Sequence, residues 1–565
     1  MKKGMLTLAL VLCLVFCALP LSSCGNRTPA SAGSETVTGQ ADASGGETTV
    51  ATTDKWDVLA PQITMLAERV RTLRIEYSMG GSEEKRSRND VYLKGPDSVI
   101  DGTTPKIQQM IYERNKAANE LLGTTTEYVE WDYGFGLQEP QMDLVIRANA
   151  ADAPDLFVNM LNDLNKEVAK AGFKDVWSIP NSFFDFKAGG WLTEWMESLS
   201  FTDDRAYILG SDYFLDVFRA MSLLPFNVTL MDENAAKLAP AILDEGETLG
   251  VGEELSTRFF DFVENGKWTW DVLGKFCEAA WVDLDGDGQD SIRDFLGIIA
   301  DGYGGIHAAS YVYSCGEELT EVYTVEDPSS EYNNKQWIKY ADDSTGLNQI
   351  FDAVKAVFEG SGSLSTSFTF SGNEPDKPGA AYHHKKFAER ELLFAGVCTL
   401  ATLEDVTFQE MEDLFSVVPL PKIDSSKSYN TLIINQGDAG AINVNVNPVK
   451  AKALTAFIQY CTEHSGDIRE QFLQTVMKYK ITTYNQGTDR MLNIIYAGIL
   501  WGRDYTVDGE NRDPRWHRLM MSQKFVAGSE YISTQYTTYL PMKTKRLDEH
   551  MKTWYTLPTV EKKTD

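Results

Sequence analysis

Apolar and polar residues along the chain follow two alternating patterns, one typical of strands and one typical of helices. In "TLRIEYS" at 72–78 apolar residues alternate with polar ones, which predicts a strand. Apolar residues at helical spacing then predict an amphipathic helix over 104–123. Thr104 is expected to cap this helix, Pro105 suits its first turn, and Gly123 is expected to end it.

The same alternation predicts two more strands, at 126–131 and 154–158, with a helix over about 140–150 between them. A β-α-β-α-β unit folds as a parallel sheet with helices on both faces, so the chain is predicted to be α/β. Ligands of such sheets collect beyond the carboxyl ends of the strands. The residues that follow the third strand either contact a ligand or only begin the next helix: Asn159, Met160 and Asn162.

Later segments repeat this organisation. "FSVVPLPK" at 415–422 predicts a strand that ends in two prolines, which suits a sheet edge or a crossing between lobes. A further strand-like alternation leads into a helix that Asn447 is expected to cap and Pro448 to begin. Trp268 and Trp270 are assigned to packing, because they stand at the start of an amphipathic helix.

The N-terminus has the pattern of an export signal: two lysines, an apolar run and small residues. That run is shorter than the roughly 20 residues of a membrane-spanning helix, which disfavours an anchor of that kind. "LSSC" at 21–24 resembles the lipobox of bacterial lipoproteins, so Cys24 is expected to carry lipid after removal of residues 1–23. Residues 24–54 are small and polar, and are expected to form a disordered tether.

Charge and cysteine usage exclude some functions. The formal net charge of -30 argues against nucleic acid as a partner, since binding phosphates needs a basic face. The same charge makes an anionic membrane surface an unlikely partner for the folded body. The sequence contains no CxxC pair, so it does not indicate a zinc site. The four cysteines of the body are expected to be buried thiols rather than a disulfide framework: Cys277, Cys315, Cys398 and Cys461.

The stretch "DLDGDGQDSIRD" at 283–294 has the acidic spacing of a calcium loop. The candidate ligands are Asp283, Asp285, Asp287, Gln289 through its backbone carbonyl, Asp290 and Asp294. A helix is predicted before the loop and a buried strand, "FLGIIA", after it, so a calcium ion would hold a joint rather than act as a sensor. A solvated acidic turn is the alternative.

The order of these segments resembles the extracellular solute-binding proteins, family one, that serve ABC importers. The most specific matches are "GKWTWD" followed by the aspartate loop, and "FSVVPLPK"; "IYERNKAANELLG", "PDLFV" and "FNVTLMDE" are generic. The resemblance implies a two-lobe periplasmic-binding-protein-like fold of type II, with a hinge and a ligand cleft between the lobes. Lobe one is expected at 55–205 plus 383–430, and lobe two at 206–382 plus 431–560.

This family captures carbohydrates, mostly oligosaccharides, and delivers them to membrane permease subunits without catalysis. The chain is accordingly expected to be a monomer on the extracellular face of a bacterial membrane. Alternatives are a peptide-binding or glycan-sensing lipoprotein, or a secreted glycan-active enzyme. The sequence contains no HExxH or GxSxG motif that would favour an enzyme.

A sugar cleft uses aromatic faces together with amide, carboxylate and guanidinium groups. Residues of these types that follow predicted strands or stand near predicted crossings are the candidate sugar contacts, each with a core or surface role as its alternative. Besides Asn159 and Asn162 they are Trp131, Tyr133, Phe226, Asn227, Tyr303, Asp438 and Trp501.

Overall fold

The computed structural model describes residues 55, 56, 59, 72–78, 88–100, 102–131, 144, 146–168, 170–300, 305–316, 319–341, 345–365, 382–434, 437–477, 485–503 and 532–557. The strands are β1 Thr72–Ser78, β2 Thr125–Trp131, β3 Leu156–Met160, β4 Ser222–Asn227, β5 Leu296–Ala300, β6 Thr320–Thr324, β7 Gln336–Tyr340, β8 Ser363–Ser365, β9 Leu392–Phe394, β10 Cys398–Thr399, β11 Phe415–Val418, β12 Thr431–Leu432, β13 Asp438–Ile442 and β14 Ile499–Leu500.

The helices are α1 Lys106–Leu122, α2 Leu161–Val168, α3 Thr193–Leu199, α4 Asp216–Arg219, α5 Val228–Glu233, α6 Ala235–Leu238, α7 Leu255–Glu264, α8 Trp270–Ala280, α9 Gly305–Ser314, α10 Thr345–Glu359, α11 Tyr382–Ala388, α12 Val406–Gln409, α13 Pro448–Glu463, α14 Gly466–Met477, α15 Asn485–Ala497 and α16 Ile532–Thr556. Shorter turns of helix are a π-helical segment, Asp90–Lys94, and two 3₁₀ helices, Ala239–Ala241 and Leu400–Glu404. Within the described parts of the chain, no helix is long and apolar enough to cross a membrane.

The first lobe is built on a four-stranded sheet in the order β2-β1-β3-β13. Strand β1 is parallel to β2 and β3, and β13 is antiparallel to β3. Helices α1 and α13 pack against each other beside the sheet, and α2 packs on β3 and β13. The fully buried Leu73 and Ile75 of β1 belong to this core, which confirms the strand predicted at 72–78.

The ends of helix α1 follow from single residues. Gly123 ends it with φ of 65°, a left-handed conformation that glycine adopts without a Cβ penalty, as predicted. The helix begins one residue after Pro105, which itself occupies the cap position. Thr104 is therefore not the cap, and its Oγ1 instead accepts from the N–H of Ile100 at 2.9 Å.

The second lobe contains a six-stranded sheet, with the path β10-β4-β9-β5-β8 and with β11 also paired to β4. Aromatic rings fill its core: the Trp268 ring stacks on Phe394 at 5.8 Å and meets the edge of Phe259 at 5.0 Å. Trp268 and Trp270 are fully buried, which confirms the packing roles predicted for them. The strand predicted after the aspartate loop is β5. The four cysteines of the body are buried free thiols, also as predicted.

Two segments lie in the lobes opposite to those expected. Residues 392–418 contribute β9 and β11, which pair with β4 and β5 of the second lobe. Residues 438–463 contribute β13 and α13, which pack on β3 and α1 of the first lobe. The expected borders at 383 and 431 are therefore wrong, because hydrogen bonds to strands distant in sequence decide where each segment lies. The two-lobe α/β fold itself is confirmed.

The lobes are joined where the chain crosses between them. One crossing runs through residues 209–222 and another includes residues 431–434 and 437, and a bridge links them at Met221 and Ile433. The Ile434 N–H also donates to the Ala220 carbonyl oxygen at 2.9 Å. A third crossing lies between α14, which packs on α1, and α15, which packs on α7 and β11.

Gly440 in β13 is predicted to be essential for the packing of the first crossing. A Cβ at this position would lie 2.4 Å from a ring carbon of Phe214. We expect G440A to lower the free energy of unfolding by about 1–3 kcal/mol through overpacking, measured by urea denaturation. The control G466A adds a methyl group where no atom lies within 4 Å, and should leave stability nearly unchanged. Equal effects of the two variants would contradict this account.

Candidate functional site

The carboxyl ends of the parallel strands of lobe one meet at one edge of the sheet. Ser78 at the end of β1 lies in register with Trp131 at the end of β2. Met160 at the end of β3 is in register with Asp438, where β13 begins. The predicted ligand residues Trp131, Met160 and Asp438 therefore share this edge, and Gly437 of the second crossing directly precedes Asp438. Asn159 lies one residue inside it.

Asn89 is the residue at this edge that sequence reasoning missed. Its Nδ2 donates to the Asp438 carboxylate, and it lies 3.5 Å from the Ser78 carbonyl oxygen. Asn89 is 1% exposed and Asp438 is fully buried. The side-chain oxygen of Asn89 has no hydrogen-bond partner among the groups that the structure describes. A buried acceptor of this kind is costly unless a donor reaches it, and a ligand hydroxyl is such a donor.

Asn159 and Asn162 differ in their surroundings. The Asn159 side-chain oxygen accepts from the Met160 N–H at 2.7 Å, and the residue is 2% exposed. Asn162 lies in the first turn of α2 and is half-buried. Asn162 therefore has the second of its two predicted roles, which is to begin the helix after β3.

An ion-pair cluster links the two lobes next to the Asn89 edge. Arg219, in the first crossing, lies 2.9 Å from Asp216 and 2.9 Å from Glu404 of the second lobe. Asp216 also accepts from the backbone N–H of Arg88, in the first lobe, at 2.9 Å. Burial alone would lower the pKa of Arg219, but the carboxylates of Asp216 and Glu404 outweigh it and raise that pKa. The guanidinium is therefore a permanent charge that holds both lobes to one crossing.

A second interlobe feature is a pocket that contains the predicted Trp501. Its volume is about 270 Å³. One wall comes from α3 of the first lobe, and another from the end of α9 and the start of β6. The polar and aromatic residues of its lining are Glu194, Glu197, Ser198, Tyr313, Thr320, Asn430, Trp501 and Arg503.

Hydrogen bonds hold the Trp501 side of this pocket in place. The Trp501 N–H donates to Ser198 Oγ at 3.0 Å, and Arg503 Nε donates to the Ser200 carbonyl oxygen at 2.9 Å. Glu194 and Glu197 are exposed on α3. The pocket thus offers carboxylates and a guanidinium, which can pair with sugar hydroxyls, whereas Trp501 is 4% exposed and packs behind them.

Phe226 and Asn227 require correction as ligand residues. Phe226 is fully buried in the second-lobe core and meets the Phe259 ring edge-on at 5.2 Å. Asn227 caps α5 by accepting from the Leu230 N–H at 2.8 Å, and donates to Asp413 at 2.8 Å. Both side chains thus have structural contacts within lobe two, and neither is available to a ligand. Cys24, Tyr133 and Tyr303 lie outside the described residues.

The aspartate loop brings three carboxylates together on the surface of lobe two. Oxygens of Asp283, Asp285 and Asp287 lie within 4.8 Å of one another. Asp283 accepts from the N–H groups of Gly286 at 2.6 Å and Gly288 at 2.9 Å, which shapes the turn. These three positions are the first half of the predicted calcium ligand set.

The remaining predicted calcium ligands have other partners. Asp294 is fully buried, and its two oxygens accept from the N–H groups of Leu284 at 2.9 Å and Ser291 at 2.8 Å. Burial would raise the pKa of Asp294, but these N–H groups outweigh it and lower that pKa. Asp294 is thus corrected from an ion ligand to a residue that closes the loop. Asp290 accepts from the Gly362 N–H at 3.1 Å, and Gln289 is exposed.

No family model and no curated protein matches the chain. Solved structures with a similar chain path include the GacH receptor of Streptomyces glaucescens, with 11% identity, coverage of 86% of this chain and 100% of that chain, and a TM-score of 0.45. Another is the ABC substrate-binding protein Lmo0181 from Listeria monocytogenes in complex with cycloalternan, with 10% identity, coverage of 86% and 99%, and a TM-score of 0.46. A family 1 extracellular solute-binding protein from Bifidobacterium longum has 13% identity, coverage of 86% and 99%, and a TM-score of 0.44.

Replacing Asn227 tests its corrected role. N227A removes a helix cap and leaves buried Asp413 without one donor, so we expect unfolding free energy to fall by about 2–3 kcal/mol. Urea denaturation measures the loss, and ligand affinity at a temperature where the variant is folded should be unchanged. Normal stability with lost affinity would instead return Asn227 to the ligand site.

Proposed function

We propose that this protein is a solute-binding protein that captures a carbohydrate between its two lobes, without catalysis. The observation that carries the proposal is the Asn89 edge: a buried Asn89–Asp438 pair with an unused acceptor, placed where the strands of lobe one end and beside a crossing segment. Sugars present many hydroxyl donors and acceptors at once, and this arrangement complements them.

Trp131 supplies the second type of group that a sugar needs. It ends β2 at the same edge and is half-buried, so part of its ring is open to contact. Aromatic faces stack on the C–H surfaces of pyranose rings while polar neighbours pair with the hydroxyls. The Trp501 pocket adds carboxylates and a guanidinium at the boundary of the lobes: Glu194, Glu197 and Arg503.

Two carboxylates of the interlobe cluster argue for binding rather than hydrolysis. A glycosidase needs one carboxylic acid that donates a proton and one carboxylate that acts as a base or nucleophile. Asp216 and Glu404 are instead both paired with Arg219. This pair is therefore suited to holding the lobes, and less suited to acid–base chemistry.

Delivery to an importer and attachment by lipid complete the proposal. The resemblance to family-one solute-binding proteins supports an oligosaccharide ligand and ABC permease subunits as partners. The lipobox-like "LSSC" and the polar segment after it support a lipid anchor at Cys24 on the extracellular face of the membrane. In this arrangement the tether lets a monomeric body reach the permease.

A thermal-shift screen tests the carbohydrate proposal. We expect one or more neutral oligosaccharides, and none of a matched set of tripeptides, to raise the melting temperature. W131A should weaken binding of the best oligosaccharide by about two- to tenfold, since stacking contributes roughly 0.5–1.5 kcal/mol. W177A, a partly buried tryptophan of lobe one outside both sites, is the control. Stabilisation by a tripeptide alone would reject a carbohydrate ligand.

We also propose that Asp283, Asp285 and Asp287 hold a structural calcium ion. Their carboxylates converge in a turn with Gly288 at its sixth position, which suits a hard cation with oxygen ligands. The loop joins α8 to β5, and Val282 and Phe295 bridge its two ends. An ion would thus neutralise repelling charges and hold this joint of lobe two.

Calcium at about 1 mM should stabilise the protein by about 1–2 kcal/mol over a chelator control. D285N should abolish this increment. D294N should lower stability equally with and without calcium, because its oxygens bind loop N–H groups. The ion site would be rejected if calcium left the melting temperature of the unmodified protein unchanged, or if calcium stabilised D285N as much as the unmodified protein.

A further inference from the structure

A buried cluster at the third crossing joins lobe one to lobe two. Asp212 is 1% exposed and is fixed within the first lobe: its N–H donates to the Gly190 carbonyl oxygen at 2.7 Å. The neighbouring Ser211 Oγ lies 2.9 Å from Thr462 Oγ1 on α13. Arg469 on α14, another helix of lobe one, places Nη1 2.8 Å from the Asp212 carboxylate.

The third member of the cluster comes from the other lobe. The Tyr496 hydroxyl on α15 donates to Asp212 at 3.1 Å, and the Arg469 guanidinium lies over the Tyr496 ring at 4.3 Å. Helix α15 is held to lobe two by Arg490, which contacts Asp261 of α7 at 2.8 Å. Tyr496 therefore makes two polar contacts across the lobe boundary, both to the Asp212–Arg469 pair.

We propose that Asp212, Arg469 and Tyr496 form a proton-sensitive latch that holds the second lobe to the first in the arrangement seen here. This role differs from ligand capture, and it requires no ligand. Any rotation of lobe two that carries Tyr496 away would remove the hydroxyl that donates to the Asp212 carboxylate and would admit water in its place. Uncovering the carboxylate changes how tightly it holds a proton, and that difference makes the latch sensitive to pH.

The direction of the effect follows from burial. Burial raises the pKa of Asp212 from 3.8 to about 6, against the opposing effects of Arg469 and the Tyr496 hydroxyl. The other charged group that faces it is Glu470 on α14, which also raises this pKa; Gly190, Ser211 and Thr462 face it with neutral groups. In an arrangement where water reaches Asp212, its pKa falls back toward the ordinary value. Proton binding therefore favours the buried arrangement, which gains population as pH falls through about 6 and loses it as pH rises.

Small-angle X-ray scattering of the full chain without ligand tests the latch between about pH 7.5 and pH 5. If the pKa of Asp212 falls from about 6 to 3.8 when water reaches it, the ratio of buried to open arrangement should be about tenfold higher at pH 5 than at pH 7.5. The scattering profile should shift toward the one expected from this arrangement as pH falls. D212N, which stays neutral at every pH, should give one profile at both pH values, close to that of the unmodified protein at pH 5.

Two further variants separate the latch from general effects of acid. D155N removes another buried carboxylate of lobe one. Burial raises the pKa of Asp155 too, but this residue directly precedes β3, at the end of that strand away from the Asn89 edge. The variant should therefore keep the normal pH response. Y496F keeps the ring and removes the hydroxyl, and should lower the population of the buried arrangement at both pH values. Identical profiles of the unmodified protein at the two pH values, or a full response in D212N, would overturn the proposal.

Discussion

The antiparallel pairing of β13 with β3 is the interaction on which the rest of the architecture depends. It returns the chain to lobe one after β11 has completed the second-lobe sheet. The same pairing brings Asp438 to the carboxyl edge of the parallel strands, and sets Ile433, Ile434 and Gly437 beside residues 217–221. The absence of a side chain at Gly440 lets the Phe214 ring pack closely on β13. Without this strand the Asn89 edge would lack its carboxylate and its crossing.

Buried arginines at the lobe boundary are each paired with neighbouring carboxylates. Arg219 is paired with Asp216 and Glu404, and Arg469 with Asp212, so these buried charges are neutralised locally although the chain carries a net charge of -30. Breaking such a buried pair costs more than a surface pair, because one charge is left without its partner. The Arg219 pairs, which join the two lobes, therefore favour the lobe arrangement in which they are intact. A neutral ligand such as a sugar suits a boundary whose charges are already satisfied.

Local signals in the sequence predicted local structure well. The strand pattern at 72–78 and the glycine at 123 correspond to β1 and to the end of α1, since each depends on neighbouring residues alone. The lobe borders failed because strand pairing between residues about 100 to 290 positions apart decides them. Asp438 was predicted as a candidate, whereas its partner Asn89 was missed. The two residues are 349 positions apart, and only the folded chain brings them into contact. Asn227 stands at the end of a strand as a ligand residue would, yet it caps the next helix.

Amide hydrogen exchange, with and without the oligosaccharide that stabilises the protein most, tests the central claim that ligand is held between the lobes. The account predicts added protection on both sides of the boundary: near Asn89, Trp131 and Asp438 in lobe one, and around Glu404 in lobe two. Protection confined to one lobe, or to surface segments away from the crossings, would contradict it.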